Sequence, residues 1–309
     1  DGFVSRDGLI FPENRRVFDE EPERLMRLFS HTQRRHLRLS PPIRKLVKDS
    51  LKLVDRPFQY NKANRATFES ILTRKGDVAR ALRQMHRVGF LGAWLPEFGA
   101  LTNLVQHEFF HRYTADEHTL RCIDVLDSMS DTDAPGTEQF VRLFHALEEP
   151  FVLYLALILH DAGRAENYRY HTDASMVLAN KVCNRLQVKG ARLQQLMFLV
   201  DNHLTFLKTA TTKDLYDIDT IREFANIMKN RANLDAPFLM TYADSNGTNE
   251  EAWSAWKASL MTQLWRETRS YLKDQNSFTQ RIADTKYELR EKVTRKLADD
   301  YAEEIDAHF

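Results

Sequence analysis

Along almost the whole chain, apolar residues recur at helical rather than alternating spacing. Between residues 20 and 38, Leu25, Leu28 and Phe29 mark one face of a helix with arginines around it. Ser40-Pro41-Pro42 opens the next helix, since proline is tolerated in a first turn. Further helices are predicted over 61–74 and 77–88. Thr114-Ala115-Asp116-Glu117 has the capping-box pattern and starts a helix near residue 115. Pro150 to Leu159 is almost wholly apolar, which predicts a helix buried on nearly all sides, stopped by Ala162-Gly163. Trp253, Trp256, Leu260 and Leu264 form a later amphipathic stripe, and about the last thirty residues read as a charge-dense, solvated helix. The start of the chain differs. Two short strands flank Arg6-Asp7-Gly8, with nothing further along for such a hairpin to pair with. The expected fold class is all-α, and the chain reads as a piece of something longer.

Composition narrows the function. With 309 residues the chain can bury a large core without disulfides or a structural metal. Lys+Arg and Asp+Glu both number 44, so bulk nucleic-acid affinity is not implied and any basic patch has to be local. Cys122 and Cys183 sit in apolar-periodic stretches and read as buried thiols in a reducing, cytoplasmic setting. No apolar run is long enough for a membrane span, and no secretory signal is evident. Residues 1–100 read as a helical linking layer with the remnant of an upstream domain. Residues 101–250 hold His107, His111, His118, His145, His160, His171 and His203, seven of the eleven histidines. Residues 251–309 read as a helical extension.

The chemistry gathers around His160-Asp161. A carboxylate at the end of a buried helix faces both desolvation and the negative end of the helix dipole, so it needs a cation. A divalent metal supplies one, and the adjacent imidazole is a suitable ligand. Alone, the pair is better explained as a histidine and an aspartate exposed in a loop. Its candidate partners change that. His118 shares a helix face with Cys122, Val125 and Met129, which turns it inward. His203 ends an apolar helical run through Leu196, Leu199 and Val200. Asp244 follows Leu234, Pro237 and Thr241 on a helical stripe. Each of these has a packing explanation, yet several unpaired polar burials together are costly.

The order His118, His160-Asp161, Asp244 resembles the signature of the HD superfamily of metal-dependent phosphohydrolases, and implies that fold. By that resemblance those four residues hold a divalent metal (Mn, Fe, Mg or Zn), with Asp161 bridging. His171 and His203 match positions that add a second ion in some branches. A narrower resemblance runs from about residue 2 to about residue 280. It is carried by Leu82–Gly99 (LRQMHRVGFLGAWLPEFG), Gln106–His111 (QHEFFH), Tyr113–Thr119 (YTADEHT) and Trp253–Lys257 (WSAWK). These segments are similar to the linker and HD domain of bacterial PII uridylyltransferase/uridylyl-removing enzymes. The nucleotidyltransferase and glutamine-sensing ACT domains of that family are not found in this sequence.

That resemblance implies hydrolysis of a phosphodiester, with UMP removed from a tyrosine of the PII signal protein, or action on a related nucleotide. Metal-activated water would attack phosphorus, and Arg164 would hold the phosphate bidentately. The family has lysine there, whereas this chain reads His-Asp-Ala-Gly-Arg-Ala followed by Glu166-Asn-Tyr-Arg-Tyr170. The departure bears on the substrate rather than on the metal. His107 and His111 frame a zinc-protease spacing, His-Glu-x-x-His, but belong to the family segment; they read as pocket-lining or as plain packing. Tyr168 and Tyr170 fit either base stacking or a loop, and His145 reads as structural. Two other functions remain open: a degenerate HD domain serving as a regulatory or interaction module, and a tRNA-handling helical module supported only by Arg34-Arg35-His36.

Overall fold

The computed structural model describes residues 2–105, 112–166, 171–249, 251–297, 301 and 305. It is 72% helical, with eighteen α-helices and a single small sheet among these residues, so the fold is mainly α. Two compact units are distinguished: residues 1–204 with 236–254, and residues 205–235 with 255–309.

The first unit opens with the hairpin Phe3–Arg6/Leu9–Pro12, in register Phe3 with Pro12 and Arg6 with Leu9. Its two-residue turn puts Asp7 at φ 50 and Gly8 at φ 71, the left-handed pair that suits strand twist. The hairpin does find a partner, contrary to the sequence expectation. Arg38–Leu39 pairs in parallel with Leu9–Ile10, a match too short to announce itself by alternation.

Helix Arg24–Arg34 buries Leu25, Leu28 and Phe29 completely. Helix Pro41–Asp49 is capped by Ser40, whose Oγ accepts from the Ile43 N–H at 3.5 Å. Lys62–Leu72 and Val78–Arg87 follow, the first capped by Asn61. An aromatic core joins this layer. Phe29 meets Phe90 at 4.9 Å between ring centroids, and Trp94 takes Phe58 at 6.0 Å and Phe68 at 5.6 Å.

Helix Pro150–Leu159 is the axis of the unit, with all ten residues buried. It packs against Lys62–Leu72, Ala115–Ser128 and Gly190–Asp201. Each of its leucines contributes roughly 1.5–3 kcal/mol by burial. Polar struts fix the surrounding helices. Arg83 of the front layer grips Glu117 at 2.9 Å and also Asp124 on the Ala115–Ser128 helix. Asp127 accepts the backbone N–H of Ala79 at 2.7 Å. The buried pair Glu97–Arg185, at 2.6 Å, ties the front layer to helix His171–Leu186.

In the second unit, Ile218–Met228 and Thr205–Thr212 both pack on Ala255–Lys273 and meet each other through Phe206 and Phe224, at 4.9 Å between ring centroids. Gln275–Leu297 is solvated as expected, with Phe278 its one buried residue. The tryptophan stripe is broken. Asn249 Oδ1 accepts the Glu251 N–H at 2.9 Å, and Trp253 stays in the first unit, outside the helix, against Phe140 and Tyr242 of that same unit. Trp256 is 60% exposed. No single helix among the described residues is long and apolar enough to cross a membrane.

Candidate metal centre

Five elements of the first unit deliver one polar cluster into an otherwise apolar interior. The helix Ala115–Ser128 starts where predicted, but not by a capping box. The Thr114 side chain makes no cap bond, and the Glu117 carboxylate is turned outward to Arg83. One turn in, His118 is buried. It is brought to Asp244 of helix Arg231–Thr248 by a close helix approach at Gly247, where a Cβ would stand 2.5 Å from Cys122 Sγ. His118 Nε2 lies 3.1 Å from Asp244 Oδ1.

His160 caps the buried Pro150–Leu159 helix. Its Nδ1 donates to the Leu157 carbonyl at 2.7 Å, which fixes the tautomer and turns the Nε2 lone pair into the cluster. Nε2 lies 3.4 Å from His118 Nε2, 3.6 Å from Asp161 Oδ2 and 3.5 Å from Asp244 Oδ1. His203, after helix Gly190–Asp201, repeats the device. Its Nδ1 donates to the Val200 carbonyl at 2.7 Å. Asp161 sits between these groups. Oδ2 faces His118 at 3.7 Å and His160, while Oδ1 faces His171 at 3.5 Å and His203 at 4.0 Å.

The turn after Asp161 is not the left-handed glycine stop expected from sequence, since Gly163 has no positive φ. Gly163 is there for closeness. A Cβ would lie 2.2 Å from the His171 carbonyl oxygen and 2.5 Å from the Ser175 nitrogen, and the Gly163 N–H donates to Ser175 Oγ at 2.9 Å. That contact seats the first turn of His171–Leu186 against Asp161. Arg164 turns back on the cluster, with Nε 2.6 Å from Asp161 Oδ2.

Charge follows geometry. Burial alone would raise the Asp161 carboxyl, but His160, Arg164 and His118 outweigh it and hold it well below the carboxylate range. Asp244 is likewise held low against burial by its hydrogen bonds to His118 and His160. Burial, with His160 close by, pushes His203 down to about 4, so its imidazole is neutral and Nε2 carries a lone pair. Burial also pushes the Cys122 thiol up; it rests as a neutral neighbour, its Sγ 3.6 Å from His118 Nε2.

The donor set fits a divalent ion. His118, His160 and Asp161 form one group whose ligand atoms lie within 4.8 Å of one another, and Asp161, His171 and His203 form another. Two ligands each about 2.1 Å from one ion stand roughly 3.0–3.4 Å apart, close to the shorter separations here. Asp161 Oδ1 and His203 Nε2 are buried with no hydrogen-bond partner among the described residues. Such orphaned groups call for a ligand. Only His171 and Asp244, 27% and 20% exposed, and Arg164, 15% exposed, open the cluster to solvent. Thus His118, His160, Asp161, His171, His203, Asp244 and Arg164 are all brought together. His145 lies apart, exposed at the end of helix Glu138–His145. His107, His111, Tyr168 and Tyr170 lie outside the described residues. Nothing in the sequence pattern ties Gly247 or Cys122 to the site beyond the general rule that a glycine within a helix signals a close approach.

Residues 3–94 match the family model described as the uridylyltransferase GlnD third domain. The chain is 34% identical over 278 residues to the bifunctional uridylyltransferase/uridylyl-removing enzyme of Pseudomonas putida (strain W619), a match covering 88% of this chain and 30% of that protein. The enzyme of the same description from Azotobacter vinelandii (strain DJ / ATCC BAA-1303) is 33% identical over 279 residues, again covering 88% and 30%. The chain therefore spans about 30% of the length of these relatives. Among solved structures, the Thermotoga maritima CCA-adding enzyme complexed with tRNA aligns with a TM-score of 0.52 and 15% identity, covering 85% of this chain and 52% of that one. A CCA-adding enzyme in complex with CTP aligns at 0.54 and 16% identity, covering 97% and 62%. At such identities the likeness is one of fold alone.

Proposed function

We propose that this chain is a metal-dependent phosphohydrolase of the uridylyl-removing type, acting on a nucleotidyl-tyrosine of a PII-like signal protein. The observation that carries the proposal is Asp161, a buried carboxylate whose two oxygens face two separate pairs of histidines. His118, His160, Asp161 and Asp244 would hold one divalent ion, and His171 and His203 would complete a second position across Asp161. A bound divalent ion supplies a Lewis acid that acidifies water and neutralises phosphoryl oxygens. The protein's own part is to keep His160 and His203 in the ligand tautomer, to seal the interior side, and to admit substrate at the exposed edge. At that edge Arg164 is within reach of an incoming phosphate. Tyrosinate is a serviceable leaving group, since its phenol pKa is about 10. The relatives named above support the uridylyl reading through the removing half of their description. The test is hydrolysis of bis(4-nitrophenyl) phosphate with Mn²⁺ and with chelator; activity that persists undiminished in chelator would refute it.

One observation favours a second reading. Arg164 engages the Asp161 oxygen that an ion would share with His118 and His160. A domain in which the guanidinium replaces the ion would be a regulatory module rather than an enzyme. Ion binding measured with Arg164→Ala beside the wild type separates the two: only this second reading requires the arginine to be removed before an ion binds.

A further inference from the structure

Away from the metal cluster, the first unit carries a groove of about 1100 Å³ between strand Leu9–Pro12, strand Arg38–Leu39 and helices Pro41–Asp49 and Val78–Arg87. This is slightly above the roughly 300–1,000 Å³ usual for small-molecule sites. Its cations fall into two kinds. Arg80 and Arg83 are neutralised within the fold, by Asp77 at 2.8 Å and by Glu117 and Asp124. Arg38, Arg44, Lys45, Lys48 and Arg87 are exposed and make no ion pair with any described residue. Like charges at i, i+4, as in Arg44 and Lys48, repel, and one carboxylate, Asp124, stands among all these cations already committed to Arg83. In a chain whose charges sum to zero, this excess is segregated rather than average. The floor between the cations is apolar, formed by Leu9, Leu39, Pro41 and Val88. Gln84 also lines the groove. Its Nε2 donates to the Leu37 carbonyl at 3.2 Å, while Oε1 is buried with no hydrogen-bond partner among the described residues.

We propose that this groove binds a mononucleotide, its phosphate chain on the unpaired Arg and Lys side chains and its base or sugar on the apolar floor. Cations without carboxylates ask for a polyanion, and the apolar floor asks for more than inorganic phosphate. The orphan Gln84 acceptor suits a hydroxyl or amino donor, which a nucleoside carries. Nucleic acid is the less favoured occupant because the cations converge on one concavity. The site is independent of the metal cluster, so its failure and that of the phosphohydrolase reading are separable.

The test is isothermal titration of the whole chain with ATP in EDTA at low salt, with adenosine, tripolyphosphate and a single-stranded RNA decamer as parallel arms. ATP is expected to bind saturably at one site, more tightly than adenosine or tripolyphosphate. The pair Lys48→Glu with Arg87→Glu should weaken it by roughly tenfold or more, and Asp161→Asn should leave it unchanged. Both charge-reversed positions are exposed, and the milder pair Lys48→Gln with Arg87→Gln should give a smaller loss in the same direction. Absence of saturable ATP binding, binding indifferent to both pairs, or binding lost in Asp161→Asn would overturn the proposal. So would an RNA decamer bound roughly a hundredfold more tightly than ATP, which would mark a nucleic-acid surface, or tripolyphosphate bound as tightly as ATP.

Discussion

Replacing Asp161 by asparagine keeps the shape of the side chain and removes the charge that both histidine groups share. In the fold, Asp161 is 2% exposed and stands 3.5–4.0 Å from four imidazoles. Loss of a group one step removed from a metal costs about 10–100-fold in affinity, so loss of a shared carboxylate ligand should cost at least the upper figure. The consequence can be read without catalysis. At an ion concentration about a hundred times the dissociation constant, binding stabilises the native state by about 2.7 kcal/mol. For a chain of this size that is a rise in melting temperature of roughly 5 °C. If Asp161→Asn weakens binding by about a hundredfold, the same ion concentration yields about 0.4 kcal/mol, a shift of roughly 1 °C. The assay is thermal unfolding of both proteins in EDTA and in Mn²⁺, with bound metal counted by mass spectrometry. The difference between the two conditions is read, so any change in the variant's intrinsic stability drops out. An Asp161→Asn protein that keeps the full metal-induced shift and the full metal content would refute the placement of the ion.

Three further outcomes follow from the same geometry. His203 titrates at about 4 in the fold against an ordinary 6.5, so protonation favours the unfolded chain. Its contribution is present above pH 6.5 and is lost as the pH falls through 4; denaturation in EDTA should show the wild type losing about 3 kcal/mol relative to His203→Gln between pH 7 and pH 4. Gly163→Ala would set a methyl group 2.2 Å from the His171 carbonyl, so urea unfolding should show a loss of about 1–3 kcal/mol or more, with bound metal reduced as His171 is displaced. Arg164→Ala should lower phosphodiester turnover by about 10–1,000-fold while metal content stays at the wild-type level; unchanged turnover would remove Arg164 from the reaction.

The sequence displays the helices plainly because their buried faces repeat at helical spacing, as Leu25, Leu28 and Phe29 do. The convergence of His118, His160, Asp161, His203 and Asp244 is anticipated for the same reason: each ends or interrupts an apolar stripe, so each had to point inward. What stays hidden depends on contacts between segments far apart. The two-residue strand Arg38–Leu39 is too short for a pattern, and the role of Gly163 is visible only once His171 and Ser175 stand beside it. The capping-box residues mark the right helix start without forming the box, and the Glu117 carboxylate is spent on Arg83 instead. The basic groove illustrates the same limit. Arg80, Arg83, Gln84 and Arg87 lie at one helical face in the sequence, but only the fold separates the paired cations from the unpaired ones.

The most direct measurement is release of UMP from a uridylylated PII-like protein by this chain, followed in Mn²⁺ and in EDTA. The account predicts ion-dependent release that Asp161→Asn abolishes. Release that is equally fast in EDTA, or no release with Mn²⁺, Fe²⁺, Mg²⁺ or Zn²⁺, would contradict it.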